Sequence, residues 1–397
     1  MIYLFIFVLL IVLSIHYDMV GNTKNKDLWY NITLFVLICL AGMRWRIGVD
    51  TSHEIYDFYH ENCLIQDFFR FYSLTEYPLW KLLNSFIYSI GGRFFWIQFI
   101  EATFVNVLVF KYIKKHSHYI FTCVFFYFIW MYRAYCFEEM KASFGMALCL
   151  FANDFLLDRK YLKSFLLYFI GFLFHPSIAL VGLTSQMIFL RMNKSGVLFL
   201  LSGVILGIIM KEHLDEYLFY FSIDDFIDNK IETYVEHDTL FGITGKNQNY
   251  YIVYFGPMLV YSICSFFYIK KFGRNSNLLQ LEPFLVVTLF FIILNANIAF
   301  FYRFVNIYAL YMILFISQAF IDIIKNNKRS CSILITTILF SPLFFYIWST
   351  YFGITGQDTA YHRFYPYSSV IERKIDRERE RVFNRSRVAP PPNINEY

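Results

Sequence analysis

The sequence predicts an all-α, polytopic integral membrane protein with about 12–13 transmembrane helices, and three observations carry that prediction. The first is composition. The 397 residues are 58% hydrophobic and 22% aromatic but only 16% charged, where a soluble domain carries about 25% charged residues. One chain cannot hide so much apolar surface from water, so a bilayer is its solvent. The second is a succession of apolar runs near the roughly 20 residues that a span needs. The third is the alternation of Lys and Arg between successive loops, which sets the sidedness of membrane helices.

The elements follow in order. Met1 to Ile15 is apolar, with no basic leader and no small-residue cleavage site, so it reads as a first span rather than a removed signal. Further spans are expected at 28–43, 94–113, 119–136, 138–157, 161–174, 176–191, 196–211, 248–270, 279–300, 302–324 and 331–352. The stretch 76–92 is apolar enough to cross. However, Glu76, Lys81 and Asn84 interrupt it and Gly91-Gly92 ends it, which suits a re-entrant or interfacial helix. Residues 1–352 then form a single transmembrane domain, and 353–397 a partly disordered tail. In the tail, Glu372, Asp376 and Glu380 interleave with Arg373, Arg377 and Arg381, a spacing that favours a short salt-bridged helix.

Six loops hold sixteen of the thirty-five Lys and Arg, including Lys24/Lys26, Lys111/Lys114/Lys115, Arg159/Lys160/Lys163 and Lys325/Lys328/Arg329. They alternate along the chain if 76–92 does not cross, and the positive-inside rule places them in the cytoplasm. The other connections then share the outer face. These are 44–93, the turn near 133–141, the break at His175, the acidic loop 212–247, the turn at Arg303 and the tail. The net charge of +5 is scattered rather than striped, so no nucleic-acid partner is expected. The seven cysteines lie mainly in apolar runs without ligand spacing, so no metal is expected.

The candidate chemistry gathers on that face. Arg44, Arg46, Gly48, Asp50, Thr51 and Tyr56 form the densest cluster, directly after the apolar run that ends at Met43. Interfacial anchoring accounts for Arg44 alone; it does not account for Gly48 and Asp50. Next come Arg133, Glu138 and Lys141. On a continuous helix Glu138 and Lys141 share a face, as a neutralising pair or as a carboxylate and a cation for substrate. His175 precedes Pro176, which disfavours helix there, so its imidazole stands at a turn, either bonded locally or titrating as a ligand or base. Arg303 follows Tyr302 at a span end. His362 and Arg363 sit among tyrosines, as in a sugar or headgroup patch or an interfacial belt. Glu101, inside 94–113, reads as the partner of an inward-facing polar group. Arginine forks match phosphate oxygens and stay charged, which suits a lipid diphosphate. A carboxylate or histidine beside them can take a proton from an attacking hydroxyl.

Taken together, these stretches resemble the EpsG family of exopolysaccharide and Wzy-type O-antigen polymerases. The resemblance rests on Gly42-Met43-Arg44-Trp45-Arg46-Ile47-Gly48-Val49-Asp50-Thr51 with Tyr56, and on Glu76-Tyr77-Pro78-Leu79-Trp80. It continues through Glu138-Glu139-Met140-Lys141-Ala142-Ser143-Phe144-Gly145, Leu173-Phe174-His175-Pro176-Ser177, Tyr302-Arg303-Phe304 and Tyr365-Pro366-Tyr367-Ser368. It implies a GT-C-like, metal-independent glycosyltransferase in the bacterial inner membrane, with its site facing the periplasm or exterior. That enzyme joins oligosaccharide repeat units carried on undecaprenyl diphosphate and needs no cofactor; membrane lipid and a chain-length regulator protein are the further partners expected. Arg44, Arg46, Lys141 and Arg303 would hold the diphosphate, and Asp50, Glu138 or His175 would act on the proton. Gly48, Tyr56, Arg133, His362 and Arg363 would contact substrate. Where such proteins commonly carry Asn-x-x-Arg-Gln, this chain has Glu138, Lys141 and Ala142, which keeps the charge of the arginine but loses its fork. An O-antigen ligase and a flippase of lipid-linked sugar are the alternatives.

Overall fold

The computed structural model describes residues 2–71, 77–219, 248–272, 276–298, 301–326 and 364–385. Among these the chain is helical, about 81%, and contains no strands. It is a polytopic membrane protein. The helices are α1 (Ile2–Leu13), α2 (Lys26–Gly42), α3 (Val49–His60), α4 (Phe68–Phe71), α5 (Pro78–Ser89), α6 (Phe94–His116), α7 (Ile120–Trp130) and α8 (Met140–Leu157). They continue with α9 (Tyr161–Phe174), α10 (Ser177–Ser185), α11 (Lys194–Phe219), α12 (Gln248–Phe272), α13 (Ser276–Leu279), α14 (Glu282–Asn297), α15 (Tyr302–Asn326) and α16 (Arg377–Arg385).

Four helices among the described residues are long and apolar enough to cross a bilayer: Ile2–Met19, Phe94–His116, Met140–Leu157 and Tyr302–Lys325. α7, α9, the first part of α11 and α14 are shorter apolar helices. The span expected at 331–352 and the tail residues His362 and Arg363 lie outside the described residues.

Burial explains the arrangement. α15 and α8 are the most enclosed of the four long spans, with 78% and 72% of their apolar windows buried. Tyr308, Tyr311 and Phe315 of α15 pack into the main core with Phe121 and Tyr127 of α7 and Leu285 of α14. The outer helices turn large apolar side chains outward, including Phe5, Leu162, Phe165 and Leu198. Apolar patches of that kind are untenable in water and ordinary against lipid tails. Inside the bundle, polar groups answer one another. Asn153 donates to Tyr311 Oη at 2.6 Å, and Asp18 Oδ2 accepts from the Thr122 backbone at 2.7 Å.

One boundary differs from the sequence reading. α11 continues through 212–219, where an acidic loop is expected, because Leu214 and Leu218 prolong the apolar pattern and no Gly or Pro stops it. The 76–92 stretch holds the twelve-residue α5, about 18 Å long at 1.5 Å per residue, against a hydrocarbon core of about 30 Å.

Candidate active site

Some of the polar residues singled out from the sequence, Arg133, Glu138, Lys141 and Gly48 among them, lie at or against the turn between α7 and α8. Its backbone leaves the α-helix at Met131, makes a π-helical turn over Ala134–Glu138, and breaks at Glu139 (φ −112°, ψ 52°) before α8 starts. That break separates Glu138 from Lys141, so the two do not share one continuous helical face, contrary to the sequence expectation. Lys141 pairs instead with Glu54 of α3, Nζ to Oε1 at 2.8 Å.

Three segments close on this turn. Gly48 approaches so tightly that a Cβ there would lie 2.0 Å from the Phe137 carbonyl oxygen, and its φ is +93°. Only glycine satisfies both demands. Asn306 of α15 donates to Glu139 Oε1 at 2.7 Å, and Tyr135 Oη donates to the Asn306 carbonyl at 2.9 Å. The Arg133 guanidinium lies over the Phe364 ring at 4.8 Å. Arg303 stands one helical turn before Asn306, and its Nε donates to Tyr302 Oη at 3.3 Å.

The centre of the site is a chain of contacts from Glu54 to His175. Glu54 is 5% exposed; its second oxygen accepts from Trp80 Nε1 at 2.7 Å. Lys141 Nζ lies 4.7 Å from the Tyr77 ring centroid, and that ring lies 5.4 Å from the His175 imidazole. His175 Nδ1 accepts from the Ser177 backbone N–H at 3.2 Å and contacts Ser177 Oγ at 2.7 Å. An N–H can only donate, so neutral His175 carries its proton on Nε2. Tyr77 holds φ +56° directly before Pro78, a conformation disfavoured for a bulky residue and again by the following proline. Such strain costs of order 1–3 kcal/mol and concentrates at functional sites. Asp57, one turn beyond Glu54, has its carboxyl pushed up to about 7, first by burial and then by the Glu54 charge, with Lys141 pulling the other way.

Arg44 and Arg46 make their contacts elsewhere. Arg44 is 0% exposed and stands 3.9 Å from Glu101 Oε2, which identifies the polar partner of Glu101. It also donates to the Ala41 carbonyl at 2.6 Å and to Thr51 Oγ1 at 3.4 Å, while Ser143 donates to Glu101 at 3.0 Å. Arg44 thus braces α2, α3, α6 and α8 from inside. Arg46 is a fork closed on Glu380 of α16, Nε and Nη2 each bonding one carboxylate oxygen at 2.7 and 2.6 Å. Arg379 seals that clasp by donating to the carbonyls of Arg46 and Pro366. Tyr56 packs against His60, ring centroids 4.6 Å apart. Asp50 falls in the first turn of α3, but its side chain lies outside the described residues. Glu138 ends the π-helical turn.

No role is assigned from the sequence to Glu54, Asp57, Tyr77 or Trp80, although Tyr77 and Trp80 lie in a stretch that carries the family resemblance. The signal was present: Glu54, Asp57 and Phe58 recur at helical spacing after Gly48, and Tyr77-Pro78-Leu79-Trp80 sets an aromatic on each side of a helix start. Among the described residues, no group of three or more His, Cys, Asp or Glu side chains is placed to hold a metal ion.

A family model, the EpsG family, matches residues 27–369, well over half of the chain and every segment of this site. No curated protein and no solved structure matches the chain.

Proposed function

The chain belongs to the EpsG family, and from that premise we propose that it is a polysaccharide polymerase. It joins oligosaccharide repeat units carried on undecaprenyl diphosphate, working at the outer face of the bacterial inner membrane. The observation that carries this reading is the Trp80–Glu54–Lys141–Tyr77–His175 chain of contacts, drawn from α3, α5, α8, the Tyr77 bend and the α9–α10 break. It sets a half-buried, carboxylate-oriented cation and an imidazole against the same Tyr77 ring.

In the reaction, a sugar hydroxyl of one lipid-linked unit attacks the anomeric carbon of the growing chain. The bond from that carbon to the diphosphate oxygen breaks, and the lipid diphosphate leaves with the electron pair. Lys141 and the His175 Nε2–H face the charge that develops on the leaving oxygen, where fixed donors act most strongly. Glu54 is committed to Lys141 and Trp80, so it orients rather than accepts the proton. Asp57, poised near neutrality, joins Asp50 and Glu138 as a proton acceptor. Arg303, near the Asn306–Glu139 link, extends the cationic surface. Arg44 and Arg46 are frame residues in this reading.

The sidedness is supported by what lies at the other end of the bundle. There Lys26 pairs with Asp18 at 3.5 Å, Lys115 with Asp154 at 2.6 Å, and Lys325 lies over the Tyr119 ring at 4.8 Å. Those basic loops suit the cytoplasmic side.

The test is chain growth. Lys141→Ala and His175→Ala proteins, at wild-type abundance, are incubated with defined lipid-linked repeat units, and product length is read by gel ladder. Loss of elongation is expected; ladders of wild-type length would remove the assignment. Elongation without any lipid A core acceptor separates a polymerase from a ligase.

A further inference from the structure

Each oxygen of the Glu54 carboxylate has its own donor. Oε1 meets Lys141 Nζ at 2.8 Å, and Oε2 accepts from the Trp80 indole N–H at 2.7 Å. The torsion that turns a glutamate carboxylate is soft and roughly two-fold. One contact leaves the group free to swing; a second, at the other oxygen, fixes its plane. Without the indole donor, Oε2 would be a buried acceptor with no partner, and the carboxylate would turn toward the donor that remains, Lys141. The place of the ammonium therefore depends on Trp80.

Trp80 is itself firmly held. It stands in the first turn of α5, and Asn84 donates to its carbonyl at 2.7 Å. Its indole is buried and meets Phe144 of α8 edge to face, ring centroids 6.2 Å apart. Phe144 lies flat on Phe174, with centroids 4.5 Å apart and 5° between the planes. Phe174 directly precedes His175. The shelf that carries the indole thus also carries the imidazole. Tyr77 and Trp80 are three residues apart across the start of α5, so the ring beside Lys141 Nζ and the N–H on Glu54 come from one short, rigid unit. The contacts close into a circuit that runs out through Glu54 and Lys141 and returns through His175 and Phe144.

We propose that Trp80 is a positioning residue for chain growth: its indole N–H fixes the Glu54 carboxylate and, through it, holds the Lys141 ammonium in register with His175. The inference rests on the polymerase reading, in which Lys141 and His175 face the charge on the leaving diphosphate. Buried, and with its one donor spent, Trp80 acts through Glu54. A fixed ammonium matters most where charge develops, so misplacing it lowers kcat rather than raising KM.

The experiment measures kcat and KM for growth on defined lipid-linked repeat units, with the full chain in detergent. Trp80→Phe keeps a ring against Phe144 and removes the N–H. A fall in kcat of at least tenfold, with KM within about twofold of wild type, is expected. The same substitution made in a Glu54→Ala protein should change kcat by less than about twofold, because the carboxylate it acts through is gone. Replacing Trp80 by benzothienylalanine, which has the shape of the indole but no N–H, should reproduce the Trp80→Phe loss. It decides the matter if the smaller phenyl ring unsettles the fold. Two results overturn the proposal: kcat near wild type in both donor-less proteins, or an equal fold-loss with and without Glu54, which makes Trp80 a packing residue only. Lys141→Ala tests the underlying reading. Undiminished growth there removes the reaction site and this proposal with it; loss there, with wild-type rates in the Trp80 variants, removes this proposal alone.

Discussion

Lys141 near the start of α8 and Asp154 near its end each join a cation to a carboxylate beside a histidine and a tyrosine. At the Asp154 end, Lys115 Nζ and His116 Nε2 reach Asp154 Oδ2 at 2.6 and 3.0 Å, and Tyr112 donates to Oδ1 at 3.2 Å. Those three partners sit on adjacent turns of one regular helix, and the Lys115 side chain is 56% exposed. The nearby left-handed residue, Arg159, is an ordinary helix-end cap. At the Lys141 end the partners come from separate segments, and the backbone around them holds Arg46, Gly48 and Tyr77 at positive φ. The Lys141 side chain is 26% exposed. The same groups serve as a helix-end brace in one place and, in our reading, as a reaction site in the other. What distinguishes them is the strained, multi-segment frame rather than the residue types.

Substitutions at both ends put that contrast at risk, and the largest effect concerns the frame itself. Arg44→Ala removes the buried guanidinium that ties Glu101, Thr51 and the Ala41 carbonyl together, and breaking a buried pair from one side costs about 3–5 kcal/mol. Folded protein recovered from membranes and its thermal midpoint should both fall sharply, whereas Lys160→Ala, removing an exposed pair with Asp158, should leave both unchanged. Next, Lys141→Ala should lower chain growth by roughly 10²–10³-fold, the usual loss when one donor to a developing oxyanion is removed. Lys115→Ala should leave the rate within about twofold. Equal losses at both ends would end the distinction between them. Lys141→Arg should fall between alanine and wild type, because it keeps the charge over Tyr77 but changes the geometry toward Glu54.

The smallest effect is in pH. The Asp57 carboxyl is raised from 3.8 to about 7. The folded protein therefore binds this proton more tightly than the unfolded chain. Its contribution to stability is full below about pH 4, declines as pH rises to about 7, and is absent above that. Asp57→Asn should flatten this part of the thermal midpoint's pH dependence, and any slope unchanged between pH 4 and 7 would assign the raised proton affinity to another group.

The spans were readable because apolar composition and length leave few alternatives; α6, α8 and α15 fall where the hydrophobic runs place them. The Gly48 requirement was readable as a type of residue but not as a contact, since nothing local points to the Phe137 carbonyl. Lys141 was found as a cation and given the wrong neighbour. Hydrophobic periodicity assumes an unbroken helix, and the π-helical turn ending at Glu138 breaks that assumption without any change in composition. Arg46 shows the limit most clearly: its partner Glu380 is 334 residues away, beyond any local pattern.

That distance has a consequence for how the protein is made. Besides the Arg46–Glu380 fork, Tyr3 donates to the Phe364 carbonyl at 3.0 Å and Tyr367 to the Leu40 carbonyl at 3.0 Å. The opening helices and the 364–380 segment are thus stitched together on one side of the bilayer. During synthesis, the first loop has to wait beside the ribosome-fed membrane with Arg46 uncommitted until that late segment arrives on the same side. A chain ending before residue 364 would carry the earlier helices but leave Arg46 without Glu380, so the fold is closed last where it began first.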